Sequence, residues 1–224
     1  MLIAEDLLLL LLDDDSGASQ TQWMKQALGG ALLVELALAG NVVVGESRWW
    51  RAGRVRTVPE VAAPEDPVLA EALDTIARKP RRAQDLVNRL GKDQQQTLTG
   101  RLVDRGLLER RESRVLGLFP RTRWPARDVT HEDQVRRALS AALAEGQDPD
   151  QRTAALIALL SALDRAHKTI DRGPVSARDV KRRAKQIADG DWAAKAVKDA
   201  IQAATAAMTA ATAGGAAAAA SSST

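Results

Sequence analysis

The most constraining feature of the sequence is its first apolar segment, residues 2–12, which contains six consecutive leucines from Leu7 to Leu12. A helix that is apolar on all sides is typical of a protein core. The segment is too short to span a bilayer, which takes about 20 apolar residues. In addition, Glu5 and Asp6 stand where a signal peptide carries positive charge. We therefore predict a buried helix with acidic flanks, and neither an export signal nor a membrane anchor.

Two further apolar segments predict buried helices. The stretch ALGGALLVELALAGN begins at Ala27 and ends at Gly40-Asn41, a pair that commonly terminates a helix. The stretch TAALIALLSALDRAH follows Asp148-Pro149 and repeats its leucines at helical spacing. Aromatic residues make up only 3% of the chain. The core must therefore be built from Leu, Ala and Val.

Shorter helices and two hairpins complete the predicted organisation. Residues 42–44 and 54–58 are expected to pair as strands around a basic loop with Trp49 and Trp50. Helices are predicted at 67–77, 82–90, 94–105, from Thr130, over SARDVKRRAKQIA and over WAAKAVKDAIQAATAAM. The fold class is therefore mainly α, a single domain with a hydrophobic helical core, surrounding amphipathic helices and small β-hairpins.

The predicted domain covers residues 1–209, and residues 210–224 differ from it in composition. This last segment carries no charge and no large apolar side chain. It cannot bury enough surface to offset the entropy lost on ordering. We predict a disordered tail rich in Ala and Ser, with a continuation of the last helix as the alternative.

The segment LLERRESRVLGLF, residues 107–119, predicts two short strands around a charged turn and is both basic and apolar. Its arginines are followed by apolar residues, namely Arg110, Arg111, Arg114, Leu116, Leu118 and Phe119. From Arg101 to Arg127 the chain holds eight arginines and three acidic residues, a net charge of +5. Either the alternate residues of the second strand face the core, or the hairpin is an interaction element.

No pattern typical of catalysis occurs in the sequence. Nucleophile elbows, phosphate-binding loops and metalloprotease helices are missing, and the chain has no cysteine. The two histidines, His131 and His167, are expected at a helix start and a helix end, where capping or solvation explains them. Asp13, Asp14 and Asp15 fit a solvated helix terminus better than a metal cluster. We expect no enzyme, no cofactor and no metal site.

Two interaction roles fit the hairpin. Short helices, a helix at 94–105 and a hairpin follow the element order of a winged-helix DNA-binding domain, whose wing arginines would contact phosphates. Arg101 and Arg105 lie late in that helix, however, and DNA gives no reason for the apolar end of the hairpin. A membrane contact explains both, with arginines worth about 1 kcal/mol each near anionic headgroups and apolar residues at the acyl boundary.

Four stretches in order resemble the Golgi phosphoprotein 3 family: AEDLLLLLLDDDSG, GGALLVELALAGNV, LTGRLVDRGLLERRESRVLGLFP and RTAALIALLSALD. They cover the chain from about residue 2 to about residue 205. The resemblance implies a single helical domain and a peripheral membrane protein. Eukaryotic members bind phosphatidylinositol 4-phosphate and sort glycosyltransferases in the Golgi, and their hairpin serves self-association or membrane contact.

The family's lipid pocket, a tryptophan and three arginines, carries over only in part. Trp23 matches the tryptophan if three residues are deleted, Gly29 stands in place of one arginine, and Lys92 and Gln95 stand in place of the other two. A phosphate monoester is held tightly by several or bidentate cationic donors. We therefore expect a looser attraction to anionic lipid, with Trp23 as an interfacial anchor.

The function that follows is a non-catalytic cytoplasmic protein, peripherally associated with the inner face of a membrane. It would bind anionic or phosphatidylinositol 4-phosphate-like headgroups, with membrane-enzyme tails and a homo-oligomer as further expected partners. The predicted lipid-binding residues are Trp23, Lys92, Arg101, Arg110, Arg111 and Arg114; Leu116, Leu118 and Phe119 would contact membrane or an oligomer. The alternatives are a DNA-binding protein and an oligomeric interaction scaffold. The excess of Arg over Lys is typical of a GC-rich bacterial genome, and such a cell has no Golgi.

Overall fold

The computed structural model of the protein describes residues 1–45, 53–115, 119–190 and 195–221. In these ranges the chain forms ten helices and five short strands, which confirms the mainly helical prediction. The helices are α1 (Ile3–Leu11), α2 (Met24–Leu38), α3 (Pro67–Ala77), α4 (Ala83–Leu90), α5 (Gln94–Asp104), α6 (Thr130–Leu143), α7 (Gln151–Ala162), α8 (Ala166–Thr169), α9 (Ala177–Asp189) and α10 (Lys195–Ser221). The strands are β1 (Val42–Val44), β2 (Arg54–Thr57), β3 (Arg81–Arg82), β4 (Arg111–Val115) and β5 (Phe119–Arg123).

Helix α2 lies at the centre of the core and packs against α1, α4, α5, α7 and α10. Its apolar residues are buried almost all round, which is why the helix shows little amphipathic pattern. All nine residues of α1 are buried as well, and they include Glu5 and Asp6. The predicted buried helix is confirmed, but its two acids lie inside the core and do not flank it.

Side-chain caps explain where several helices begin. The Asp66 carboxylate accepts a hydrogen bond from the N–H of Val68, and Pro67 occupies the first helical position of α3, where its missing N–H costs nothing. Asp150 caps α7 and Ser176 caps α9 in the same way. The start of α3 was predicted to the residue. Helix α7 begins two residues later than its Asp148-Pro149 signal, because Asp150 provides the cap.

Helices α2 and α4 approach each other closely enough for their backbones to touch. A Cβ atom on Gly29 would lie 2.0 Å from the carbonyl oxygen of Val87, and one on Gly91 would lie 1.8 Å from the carbonyl oxygen of Lys25. Only glycine fits at either position. This contact fixes the N-terminal part of α2 against the turn between α4 and α5.

The strands form two separate sheets. Strands β1, β2 and β3 make an antiparallel sheet in which Val42 is opposite Thr57 and Arg54 is opposite Arg82, so the predicted pairing of 42–44 with 54–58 is confirmed. Their connecting loop, with Trp49 and Trp50, lies outside the described residues. Strands β4 and β5 form the second sheet.

The predicted bounds of the second hairpin, 107–119, need correction. The charged residues from Arg111 onward form strand β4 and do not form the turn, and the partner strand runs on to Arg123. Leu108, which is buried in the core, bridges to Ala126 in the same register at the base of the hairpin, so the second strand has to extend past residue 119 to match the first. Leu116 and Leu118 lie outside the described residues.

Helix α10 continues through the alanine-rich segment as far as Ser221. This is the alternative that the sequence offered to a disordered tail, and the domain boundary at residue 209 stays a prediction. Among the described helices, none is both long enough and apolar enough to cross a membrane.

Candidate functional site

A cleft of about 450 Å³ lies where the N-terminal part of α2 meets the turn between α4 and α5. Its size is typical of a site for a small ligand. The lining residues are Lys25, Gly91, Lys92, Asp93, Gln95, Gln96, Thr99 and Trp124. The backbone contact between Gly91 and Lys25 brings two lysines that are 67 positions apart in the sequence into one cleft.

The cleft is weakly cationic. Lys25 is exposed, and the side chain of Lys92 is 74% exposed, with its Nζ atom 3.9 Å from a carboxylate oxygen of the equally exposed Asp93. A pair of this kind contributes about 0–1 kcal/mol and leaves the lysine available. Two lysines and one aspartate give the cleft a net charge that suits an anion.

The first turn of α5 also lines the cleft. Asp93, just before the helix, adopts a left-handed conformation with φ 60°, and its side chain makes no capping hydrogen bond. The first N–H groups of a helix have no partner within the helix, and they carry partial positive charge. Gln95 and Gln96, in this turn, both line the cleft. The turn therefore favours the same sign of ligand as the lysines.

Trp124 forms one wall of the cleft and is half-buried. It immediately follows β5, and its backbone contacts Gly17, where a Cβ would lie 2.3 Å from the Trp124 carbonyl carbon. The guanidinium of Arg110 lies 5.8 Å from the centre of the Trp124 ring, within the range of a cation–π interaction. The hairpin therefore projects directly from the wall of the cleft.

The structure places the predicted lipid-binding residues in different environments. Lys92 lines the cleft. Trp23 does not line it; this side chain is half-buried against the core at the start of α2. Arg110 and Arg111 are exposed at the base of the hairpin and pair with Glu112 and Glu109 at 2.6 and 3.1 Å.

The rest of the predicted hairpin surface is described only in part. Arg114 lies in β4 opposite Pro120, and Phe119 begins β5 opposite Val115. Leu116 and Leu118 lie outside the described residues. Their predicted contact with a membrane or an oligomer stays a prediction.

Arg101 points into the protein. Its Nε atom lies 2.8 Å from an oxygen of Glu5, and its two terminal nitrogens donate to both carboxylate oxygens of Asp66 at 2.9 and 2.5 Å. The hydrogen bonds from Arg101 hold the pKa of Asp66 below its usual value. Arg105 also pairs with Glu5, at 2.8 Å. Arg101 is thus engaged inside the molecule, and we leave it out of the proposed site.

Arginines and a histidine neutralise the acids that sequence reasoning placed at the flanks of α1. Asp6, 2% exposed, lies 2.7 Å from Arg152 and 2.7 Å from the Nε2 atom of His131. Arg152 also reaches Glu35 at 3.3 Å, where burial raises the pKa of the carboxyl. His131 was expected to cap or face solvent, and it binds Asp6 because a buried carboxylate requires partners.

The sequence did contain a signal for this network. Glu5 and Asp6 stand inside an otherwise apolar helix, and burying such acids without cationic partners is strongly unfavourable. Lys25 and Trp124, which the prediction missed in the cleft, gave no comparable signal. Their proximity depends on the packing of α2 against α4 and on the path of the hairpin.

A second cavity, of about 690 Å³, lies between the β1–β2–β3 sheet, the start of α4 and α10. At its rim, Lys195 and Asp199 form an ion pair at 2.7 Å. We favour the smaller cleft, because it combines two lysines, a helix start and the hairpin. Within the described ranges, no group of three potential metal ligands comes together.

The chain matches the family model described as Golgi phosphoprotein 3 (GPP34) over residues 3–204. No curated protein matches it. Because the match spans most of the 224 residues, the protein belongs to this family, as the order of its four sequence landmarks indicated.

Proposed function

We propose that this member of the Golgi phosphoprotein 3 family is a peripheral membrane protein that binds anionic phospholipid headgroups in the cleft between α2, α4 and α5. The observation that carries the proposal is that Lys25, Lys92 and Trp124 line one cleft. A tryptophan suits the membrane interface, and two ammonium groups suit the phosphate of a headgroup. The proposal is of a binding protein and not of an enzyme.

The residues of the cleft suit binding of anionic lipids in general better than strict selectivity for phosphatidylinositol 4-phosphate. Gly29 stands where family members have an arginine, and the carbonyl oxygen of Val87 leaves no room for a side chain there. Gln95 stands in place of another arginine. The remaining lysines act as point charges and do not offer the bidentate hydrogen bonds of arginine. The two lysines then attract the phosphate but discriminate only weakly between its positions on the inositol ring.

The hairpin extends the cleft toward the membrane. Arg110 is exposed and lies over the Trp124 ring, and Arg111, the next residue, is exposed as well. A basic residue near an anionic leaflet is worth about 1 kcal/mol. Leu116, Leu118 and Phe119 give the sequence of the hairpin an apolar end that suits the acyl boundary. We extend the proposal to a site at the cytoplasmic face of a membrane, where the protein would hold membrane enzymes by their tails.

Three observations disfavour the DNA-binding alternative. Arg101 and Arg105, the basic residues of the would-be recognition helix, pair with the buried Glu5. Strand β3 pairs with β2 and not with the hairpin, so the strand before α4 does not join the wing. Helix α5 also buries Leu98 and Leu102 in the core. The membrane proposal uses none of these groups.

Vesicle binding by a cleft variant tests the proposal. We expect the double substitution Lys25→Gln and Lys92→Gln to weaken binding to anionic vesicles about 30-fold, because each lysine contributes about 1 kcal/mol. The matched control is Lys181→Gln with Arg182→Gln, which removes the same charge from α9. An equal loss of affinity in both variants would show that net charge and not the cleft determines binding. Selective binding of duplex DNA by the unmodified protein would contradict the proposal.

A further inference from the structure

Seven basic residues of the three-stranded sheet, of the turn before β3 and of α4 form no ion pair with any carboxylate that the structure describes. They are Arg54, Arg56, Arg78, Lys79, Arg81, Arg82 and Arg89. No carboxylate oxygen of a described residue lies within 4.0 Å of their charged nitrogens. Elsewhere in the described chain, Arg101, Arg136 and Arg152 each contact one or more carboxylates. Among the described residues, no ion pair therefore neutralises the positive charge of the sheet.

The arginines at the centre of this group share one exposed face of the sheet. Arg54 and Arg82 are directly opposite each other in neighbouring strands, and side chains opposite each other point to the same face. Arg56 lies two residues along β2 and so joins them, whereas Val55 between them is completely buried. Like charges placed opposite each other destabilise a sheet. An anionic ligand on this face would offset that cost.

The exposed side of α4 connects this face to the cleft. Arg82, Asp85 and Arg89 are spaced along one side of the helix and are exposed, and Lys92 follows at its end. The opposite side of α4, with Leu86, Val87 and Leu90, is buried. At 1.5 Å per residue, the ten steps from 82 to 92 correspond to about 15 Å. The sheet face and the cleft thus lie at opposite ends of one solvent-facing helix surface.

We propose that the exposed face of the β1–β2–β3 sheet, with Arg54, Arg56 and Arg82 at its centre, is a second contact surface for an anionic membrane leaflet. The inference rests on the proposed function, since it assumes that the cleft meets the same membrane. A leaflet presents phosphates over an extended plane, so it can occupy both ends of α4 at once. Continuity with the cleft, Trp124 and the hairpin favours a membrane over a nucleic acid.

The spacing makes the two contacts nearly independent. About 15 Å exceeds the Debye length of about 8 Å at physiological salt, so neither cationic site strongly alters the field of the other. Their contributions to the free energy of binding should then add. In terms of affinity, the effects of removing each site should multiply.

The test measures the affinity of five proteins for anionic phosphatidylserine vesicles. They are the unmodified chain, a sheet variant, the cleft variant, a variant that combines the two and a control. The sheet variant carries Arg54→Gln, Arg56→Gln and Arg82→Gln, and we expect it to bind about 100-fold more weakly. The control carries Arg178→Gln, Lys181→Gln and Arg182→Gln, removing three charges from α9, where Asp164 and Asp179 already partner two of them. The control should lose less than about fivefold.

The outcomes separate this inference from the proposed function. If the unmodified protein does not bind anionic vesicles, the proposed function fails and the inference with it. If it binds, and the sheet variant matches the control, only the inference is overturned. Loss of duplex DNA binding in the sheet variant, with vesicle binding unchanged, would overturn it in favour of a nucleic acid surface.

Thermal unfolding provides the second readout. Because Arg54 and Arg82 repel each other, the Tm of the sheet variant should equal or exceed that of the unmodified protein. A clear fall in Tm would assign these arginines a role in the fold and would overturn the inference. In a variant that combines the sheet and cleft substitutions, a loss of vesicle affinity equal to the product of the two separate losses would support the inference.

Discussion

The basic residues around α1 and those around the β1–β2–β3 sheet behave in opposite ways. Around α1, Arg101, Arg105 and Arg152 point inward and meet Glu5 and Asp6, which are 0% and 2% exposed. Around the sheet, the arginines point outward and meet no carboxylate of the described chain. An arginine is unavailable to a ligand when its carboxylate partner is buried, whatever the local density of arginines.

The difference is also one of free energy. Removing one partner of a buried ion pair leaves an uncompensated charge and costs about 3–5 kcal/mol. An exposed charge contributes about 0–1 kcal/mol to stability. Substitutions in the two regions should therefore separate cleanly, with stability sensitive to the first region and lipid affinity sensitive to the second.

The largest expected effect is a loss of stability on substitution of the arginines that face α1. Arg101→Met should lower the free energy of unfolding by about 3–5 kcal/mol, because Glu5 loses a cationic partner while it remains buried. Urea unfolding measures this change. The control Arg54→Met, on the exposed sheet face, should change the same quantity by less than about 1 kcal/mol. If Arg101→Met folds and binds vesicles much more weakly, Arg101 contacts lipid, and the assignment of its role to stability is wrong.

A second prediction concerns Gly29, which stands at the position where family members carry an arginine of the lipid pocket. Gly29→Ala should destabilise the protein by up to about 3 kcal/mol, because the new Cβ would collide with the backbone of Val87 and force the helices apart. Gly30→Ala is the matched control. Its Cβ would meet the Sδ atom of Met208 at 2.6 Å, and a methionine side chain can move away. Equal losses of Tm in the two variants would contradict this account of helix packing.

The third and smallest prediction concerns pH. Burial raises the pKa of Glu132 to about 7, against the favourable charge of Arg136. The folded protein then holds a proton that the unfolded chain, with an ordinary carboxyl pKa of 4.5, has already released. The stability that this proton provides is complete below pH 4.5 and is lost as the pH rises through about 7.

Urea unfolding at about pH 5 and about pH 8 measures this effect, which should reach about 2.5 kcal/mol. Glu132→Gln should reduce the difference between the two pH values, because the amide does not titrate. Glu145→Gln, an exposed acid at the end of α6, should leave the difference as it is. Equal pH dependence in the unmodified protein and in Glu132→Gln would show that Glu132 does not titrate in this range.

Local signals explain which parts of the fold could be predicted from the sequence. Asp66-Pro67 fixed the start of α3, and the apolar periodicity fixed the buried helices, because each signal acts over a few residues. The predicted end of the hairpin at residue 119 was wrong, since the second strand begins there and pairs with the first as far as Arg123. The pairing of Asp6 with Arg152 joins residues 146 positions apart, and no local pattern specifies it.

The candidate site was predictable to a smaller extent. Lys92 was assigned through the family resemblance, and the structure puts it in the cleft. Arg101 was assigned by its nearness in sequence to the hairpin, yet its direction is set by Glu5 and Asp66. Lys25 enters the cleft only because Gly91 contacts its backbone. Where tertiary packing brings the residues of a site together, the site can be identified only from the structure.

The outward basic residues are assigned to anionic lipid in general, and vesicle co-sedimentation of the unmodified protein tests this assignment. The unmodified protein is co-sedimented with neutral vesicles, with phosphatidylserine vesicles and with phosphatidylinositol 4-phosphate vesicles matched to them in surface charge. The account predicts no pelleting with the neutral vesicles and similar affinities for the two anionic kinds. Absence of pelleting with both anionic kinds would contradict the account, and strong selectivity for the phosphoinositide would contradict the loose headgroup recognition assigned to the cleft.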